Sequence, residues 1–204
     1  VCNAVGLRTA DLFASTTERP TGRTSTKRRQ TTAKSVGTFL TADEALRELE
    51  RQHGPRSAIW TYTDAAGEPA GLLVRWNTAT GKDVRPIARG DDGCWRIGGM
   101  SAPRPLYALP DLLAAPESDR VWVCEGEKAV DATQAVGLTA TTSPHGSQSA
   151  SKANWSPVAG RDVVILPDHD DAGEKYADAV TRLGTASGAK SVRVVRLAEL
   201  WAGM

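Results

Sequence analysis

The chain is short of cysteine, of charge of one sign and of long apolar runs. Its three cysteines, Cys2, Cys94 and Cys124, form no Cys-x-x-Cys pair, so neither a disulfide framework nor a zinc site within this chain is expected. Free thiols in a reducing cytoplasm are the plain reading, and a cytoplasmic location is expected with them. The net charge is only +1, so the chain as a whole does not seek polyanions, and any nucleic-acid contact must come from local basic patches. No stretch approaches the roughly 18 apolar residues of a membrane-spanning helix, and the N-terminus lacks the charged head and apolar stretch of a signal peptide. The first residue is Val1 rather than Met, and a longer protein is expected around this sequence.

What is present suits a globular protein with a real core: 40% of residues are hydrophobic and 24% charged. Residues 1–13 read as a short tail. Residues 14–40 are rich in Thr, Ser, Arg and Lys with almost no large apolar residue, which is the composition of a linker that cannot bury enough surface to fold. That linker carries Arg19, Arg23, Lys27, Arg28, Arg29 and Lys34 against only Glu18. It is either a solvated tether or a basic arm that adds salt-sensitive affinity for phosphates.

Residues 41–116 predict a small α+β subdomain. Thr41 and Glu44 form a capping-box pattern, Ala42, Ala45, Leu46 and Leu49 line one helix face, and Gly54–Pro55 end the helix. Short strands are expected at Ala58–Thr63, Gly71–Trp76, Asp83–Ile87 and Trp95–Ile97, with turn residues between them, as in an antiparallel meander. A short helix near Asp111–Ala115 lies in a proline-rich connector.

From about residue 117 the pattern changes. Val121–Cys124, Thr139–Thr142, Val163–Leu166 and Val192–Val195 read as strands, with helices over about Glu127–Val136 and Ala172–Leu183. The strands are continuous apolar runs rather than alternating ones. That predicts a mostly parallel, Rossmann-like α/β sheet with helices on both faces over residues 117–204.

Glu125 directly follows the first of these strands, and Asp168 and Asp170 follow the third. Ligands of open parallel sheets bind at the carboxyl ends of the strands. If the two strands are neighbours, about 5 Å apart, three carboxylates approach one small volume and repel one another unless a cation joins them. All-oxygen ligation with open positions suits Mg²⁺ or Mn²⁺. Gly126 and Gly173 each stand at a strand-to-helix turn, where glycine permits a sharp bend or a close approach. Singly, each residue has a plainer role: Glu125 as a surface charge, the aspartates as helix caps.

The segments VWVCEGEKAVDATQAVGL and VVILPDHDDAGEKYADAV, with the Ser-rich TTSPHGSQSASKANW between them, resemble the Toprim domain of DnaG-like phage, plasmid and bacterial primases. The family hallmark is a glutamate in an EG turn after one strand and a DxD after another, here Glu125–Gly126 and Asp168–Asp170. The resemblance implies a Toprim fold, Glu125 as general acid/base, and Asp168 and Asp170 as Mg²⁺ (or Mn²⁺) ligands. It also implies RNA primer synthesis on single-stranded DNA from NTPs, with a replicative helicase as a further partner. A metal-dependent nuclease and a non-catalytic module that binds DNA or a helicase are the alternatives. Ala129 and the nearby Asp131 depart from the primase pattern after the EG turn, and only Glu199 stands where a further acidic pair often follows the next strand. Arg75, Lys82, Arg85 and Arg89 of the meander, which align with no motif of the family, Lys128 in the first turn after the EG glycine and Lys152 of the Ser-rich loop are candidates for phosphate contacts; the plainer reading of each is a solvated surface charge. His145 and His169 flank the expected site, and the tryptophans, such as Trp60, Trp76, Trp95 and Trp155, are expected mainly in the core.

Overall fold

The computed structural model of the protein describes residues 37–196. The expectations for the tail at 1–13, for most of the linker and for Glu199 lie outside the described residues. No described helix is long and apolar enough to cross a membrane.

The chain builds two sheets. The first is five-stranded and antiparallel, in the order β1 (Thr38–Phe39), β5 (Trp95–Ile97), β4 (Gly81–Arg89), β3 (Pro69–Thr78), β2 (Ala58–Thr63). β2 to β5 run as the expected meander. β1 is a two-residue strand inside the stretch expected to be linker, and it pairs with β5 through Phe39 opposite Trp95. Helix α1 (Ala42–His53) covers one face of this sheet. It starts on Thr41, whose hydroxyl accepts the Glu44 N–H while the Glu44 carboxylate accepts the Thr41 N–H. This reciprocal cap is worth about 1 kcal/mol. Ala45, Leu46 and Leu49 meet Leu72, Val74, Trp76, Ile87 and Trp95.

Side chains alternate across a strand, so the residues between these point to the opposite face. There Leu73 and Ala88 join Trp60, Tyr62 and Met100 in a second cluster. This division decides which basic residues of the meander can face a ligand.

The second sheet is parallel, in the order β7 (Ala140–Thr141), β6 (Val121–Cys124), β8 (Asp162–Leu166), β9 (Ser191–Val194). Its two faces are both covered. Val121, Val123, Val163 and Ile165 pack with Tyr176, Ala177 and Val180 of helix α4 (Asp171–Ala186) and with Leu112 of the short helix α2 (Leu109–Ala114). Cys124 and Ala140 pack with Val130 of helix α3 (Glu127–Ala135). Both faces dry is the condition under which continuous apolar strands are stable.

The connectivity has one consequence for function. From β6 the chain crosses outward to β7, and from β8 it crosses in the other direction to β9. The order reverses between β6 and β8, which are neighbours with Cys124 opposite Leu166. A crevice opens at such a switch point, beyond the carboxyl ends of the two strands, and it is the usual ligand site of open α/β sheets. The residues that leave β6 and β8 there are Glu125 and, after Pro167, Asp168.

Candidate active site

The loop after β8 folds back on the loop after β6. The Asp168 N–H donates to Glu125 Oε2 at 3.2 Å. Asp170 caps α4, its Oδ1 accepting the Gly173 N–H at 2.8 Å. The three acids thus share one sheet edge, but their carboxylates do not close on a single point. Among the described residues, no three His, Cys, Asp or Glu side chains form a ready-made metal cage. The reason is local: Glu125 is drawn to a backbone N–H and Asp170 is committed to its helix.

The edge is nevertheless electrostatically loaded. Burial pushes the Glu125 carboxyl up from its ordinary range, the Asp168 and Asp170 carboxylates push it further, and the Asp168 N–H and the Lys82 ammonium act against them. Excess negative charge in a partly buried, all-oxygen donor set fits a hard divalent cation. Mg²⁺ commonly takes one or two carboxylates and completes its shell with water and phosphate, so the missing third ligand does not exclude it. Glu125 and Asp168, with the uncommitted oxygen of Asp170, are the donors available.

Facing this edge is the second face of the antiparallel sheet. Two adjoining hollows, of about 410 and about 440 Å³, share Leu73, Lys82, Val84, Gly126, Glu127 and Asp168. The first adds Arg75 and Lys128; the second adds Glu125 and His145. The cleft therefore brings together Glu125, Asp168, Gly126, Arg75, Lys82 and Lys128. Arg85 is not in it. It alternates with Lys82 and Val84, lies on the α1 side of β4, and bonds Asp83 at 3.1 Å. Arg89 lies outside the cleft lining beside Glu68, at 3.9 Å. Lys152 ends a 3-10 stretch, Ser147–Lys152, is exposed, and is not among the residues lining the two hollows.

The two glycines have different roles. A Cβ on Gly173 would lie 2.1 Å from the Asp168 carbonyl oxygen, so α4 can start against this loop only with glycine there. Gly126 is extended, with φ −149°, and a Cβ on it would meet nothing within 4 Å. Its backbone needs no glycine; the missing side chain leaves cleft space.

Sequence reasoning missed the joint that holds the cleft open. Tyr62 on β2 donates to Glu127 Oε1 at 2.5 Å, and Glu127 is only 8% exposed. One turn on, Asp131 accepts Trp60 Nε1 at 2.8 Å on one oxygen and the Tyr107 hydroxyl at 2.9 Å on the other. Asp131, with both oxygens claimed, is a strut and not a spare ligand. The acidic i, i+4 pair of α3 thus pins one sheet against the other.

Burial pushes the Glu127 carboxyl up, while the Tyr62 hydroxyl and its own N–H favour the ionised form. A raised folded value means that the folded chain holds the proton more tightly than the unfolded chain. The stability contributed is then fully present below the ordinary carboxyl range and is lost as pH rises through the folded value. Glu127→Gln is expected to flatten that part of the stability profile and to equal or exceed the wild type at neutral pH. Tyr62→Phe leaves the buried carboxyl without its donor and is expected to cost about 1–3 kcal/mol. Urea melts across the pH range from carboxyl to neutral, run on both variants, check the two signs.

No family model matches the chain, and no curated protein matches it. Among solved structures, the primase fragment of the bacteriophage T7 primase-helicase protein aligns at 18% identity and a TM-score of 0.45, over 67% of this chain and 51% of that one. A chain in the bacteriophage T7 lagging-strand DNA polymerase structure, in which the polymerase interacts with primase domains bound to an RNA/DNA hybrid and dTTP, aligns at 18% identity and a TM-score of 0.41, over 67% and 63%. The chain matches about half of the first of these and less than two thirds of the second.

Proposed function

We propose that the chain is the catalytic core of a primase-type nucleotidyltransferase, joining ribonucleotides on a single-stranded DNA template in DNA replication. The observation that carries this reading is the cleft itself. A partly buried carboxylate, Glu125, lies beside Asp168 at the switch point, opposite the cations Arg75 and Lys82. The Toprim resemblance of the two acidic motifs supports the same reading.

Each part of the cleft has a task in that reaction. Arg75, Lys82 and Lys128 attract and orient the phosphates of the incoming NTP and of the growing strand. Gly126 lets them approach the backbone. Glu125, oriented by the Asp168 N–H, accepts the proton of the attacking hydroxyl. Asp168 and Asp170 add the negative field in which Mg²⁺ or Mn²⁺ is held. That cation, when bound, supplies charge neutralisation at the phosphoryl oxygens. The Tyr62–Glu127 and Trp60–Asp131 bonds keep the two walls at a fixed separation, which positioning requires. A replicative helicase is the further partner of this reading.

The test is ribonucleotide incorporation on single-stranded DNA with NTPs and Mg²⁺. Template-dependent incorporation abolished by EDTA is expected. Metal-dependent cleavage of nucleic acid without incorporation would replace the reading with a nuclease. DNA binding indifferent to EDTA, without either reaction, would replace it with a non-catalytic module.

A further inference from the structure

The first of the two hollows, about 410 Å³ in volume, has two kinds of wall. The cations Arg75, Lys82 and Lys128 and the Asp168 carboxylate line it, and so do the apolar side chains of Trp60, Leu73, Val84, Ala129 and Ala132. The proposed reaction uses the charged residues and leaves the apolar ones without a task.

The fold gathers these apolar residues on two facing walls. Trp60 is paired with Leu73 across β2 and β3, and Arg75, two residues further on β3, is paired with Val84 of β4. Side chains two apart on a strand share a face, so Trp60, Leu73 and Val84 form one apolar floor, with Arg75 and Lys82 set in the same face. The opposite wall is α3, where Ala129 and Ala132, both exposed, are three apart and neighbours on the helix surface. The bond from Trp60 Nε1 to Asp131 sets the Trp60 end of the floor beside the second turn of α3. Lys128 stands in the first turn, three residues after Glu125, so the hollow passes from charge to apolar surface over one helical turn, about 6 Å.

The apolar end is open. Val84 is 36% exposed, and of the large hydrophobic side chains left exposed among the described residues it is the one that lines the cleft. One exposed valine is ordinary; apolar surface on both walls of a hollow that also holds three cations is the pattern of a ligand site, with a flat apolar part to cover and an anionic part to pair. The polar side chains at this end are tied into the joint between the sheets: Trp60 Nε1 donates to Asp131, and Glu127 Oε1 accepts the Tyr62 hydroxyl.

We infer that the apolar end of this hollow, between Trp60, Leu73 and Val84 on one side and Ala129 and Ala132 on the other, is a slot for the base of a nucleoside triphosphate whose phosphates lie against Lys82 and Lys128. The slot holds the base by contact and leaves its pairing edge unread, so the choice of nucleotide falls to whatever pairs with it. The inference deepens the proposed function and rests on it for the nucleotide being a substrate, not for its being bound.

The experiment is calorimetric titration of the full chain, in Mg²⁺, with ATP, CTP and inorganic tripolyphosphate. Tripolyphosphate carries the anionic part without a base. Both nucleotides are expected to bind at least about tenfold more tightly than tripolyphosphate, for the apolar surface they cover. Ala132→Phe fills the slot from an exposed helix position. It is expected to bring both nucleotides down to the affinity of tripolyphosphate while leaving tripolyphosphate itself unchanged. Val84→Ser, a smaller change on the other wall, is expected to reduce the advantage of the nucleotides about threefold, again without effect on tripolyphosphate. Equal binding of all three probes by the wild type, or binding of none, overturns the inference. So does a loss common to all three probes in both variants, nucleotide binding unchanged in both, or a preference of more than about tenfold between ATP and CTP, which would mean that the pairing edge is read. Slot-dependent binding in a chain that incorporates no ribonucleotide upholds the slot and counts against the enzymatic reading only; incorporation without a nucleotide advantage over tripolyphosphate does the reverse.

Discussion

Gly173→Ala is expected to destabilise the protein by about 3 kcal/mol, the upper end of what overpacking costs. The added Cβ would lie 2.1 Å from the Asp168 carbonyl oxygen and 2.9 Å from both the Asp168 carbonyl carbon and its nitrogen. All three are backbone atoms, so no side chain can swing away. The loop must move, and it carries the Asp168 N–H that binds Glu125 and the Asp170 carboxylate that caps α4. Stability and site geometry should therefore fail together. Gly126→Ala is the contrast. Its Cβ meets nothing within 4 Å and its backbone is extended. It should leave stability within about 0.5 kcal/mol while weakening nucleotide binding by filling cleft space. Urea unfolding at unchanged m-value, alongside nucleotide binding, separates the two glycines.

Asp168→Asn is expected to lower template-dependent incorporation about 1,000-fold, or about 4 kcal/mol of transition-state stabilisation. The side chain is exposed, and the hydrogen bond to Glu125 comes from the backbone N–H, which asparagine retains. The fold should be nearly unaffected. Asp170 needs a more careful substitution. Asp170→Ala removes the α4 cap and is expected to cost about 1 kcal/mol, whereas Asp170→Asn keeps an acceptor for the Gly173 N–H and removes only the charge. A large loss of incorporation in Asp168→Asn and Asp170→Asn, with melting curves close to wild type, assigns the effect to the carboxylates.

Much of this fold is visible in the amino-acid order. The capping box at Thr41 and Glu44 places α1, and the runs at Val121–Cys124 and Val163–Leu166 are strands because only a sheet covered on both faces tolerates such uninterrupted apolar sequence. The expected strands at Ala58–Thr63, Trp95–Ile97 and Val121–Cys124 are found with those bounds. β1 is missed because two residues, Thr38 and Phe39, carry no period. The 3-10 turns Ser147–Lys152 and Ser156–Val158 are missed because a Ser- and Ala-rich stretch shows no stripe.

The site divides in the same way. Glu125 and Asp168 follow apolar strands, and strand ends are where parallel sheets bind ligands, so their placement is readable. Arg75 and Lys82 face the cleft while Arg85 does not. That much was available from alternation, since Arg85 is two residues from the core residue Ile87 and shares its face. The joint was not available. Tyr62 and Glu127 are 65 positions apart, and Trp60 and Asp131 are 71 apart. No local pattern links residues at that separation; only the packing of one sheet on the other does. His145, expected beside the site, does line the cleft, but that Arg104 Nη1 and His145 Nε2 lack a partner is a property of surroundings, not of order.

The most direct test of the central claim is Mn²⁺ binding followed by water-proton relaxation, in the wild type and in the double variant Glu125→Gln/Asp168→Asn. Both substitutions preserve shape and remove charge. The acidic edge predicts saturable binding in the wild type that weakens at least about tenfold in the variant. Equal binding in the two proteins, or none in the wild type, would contradict it.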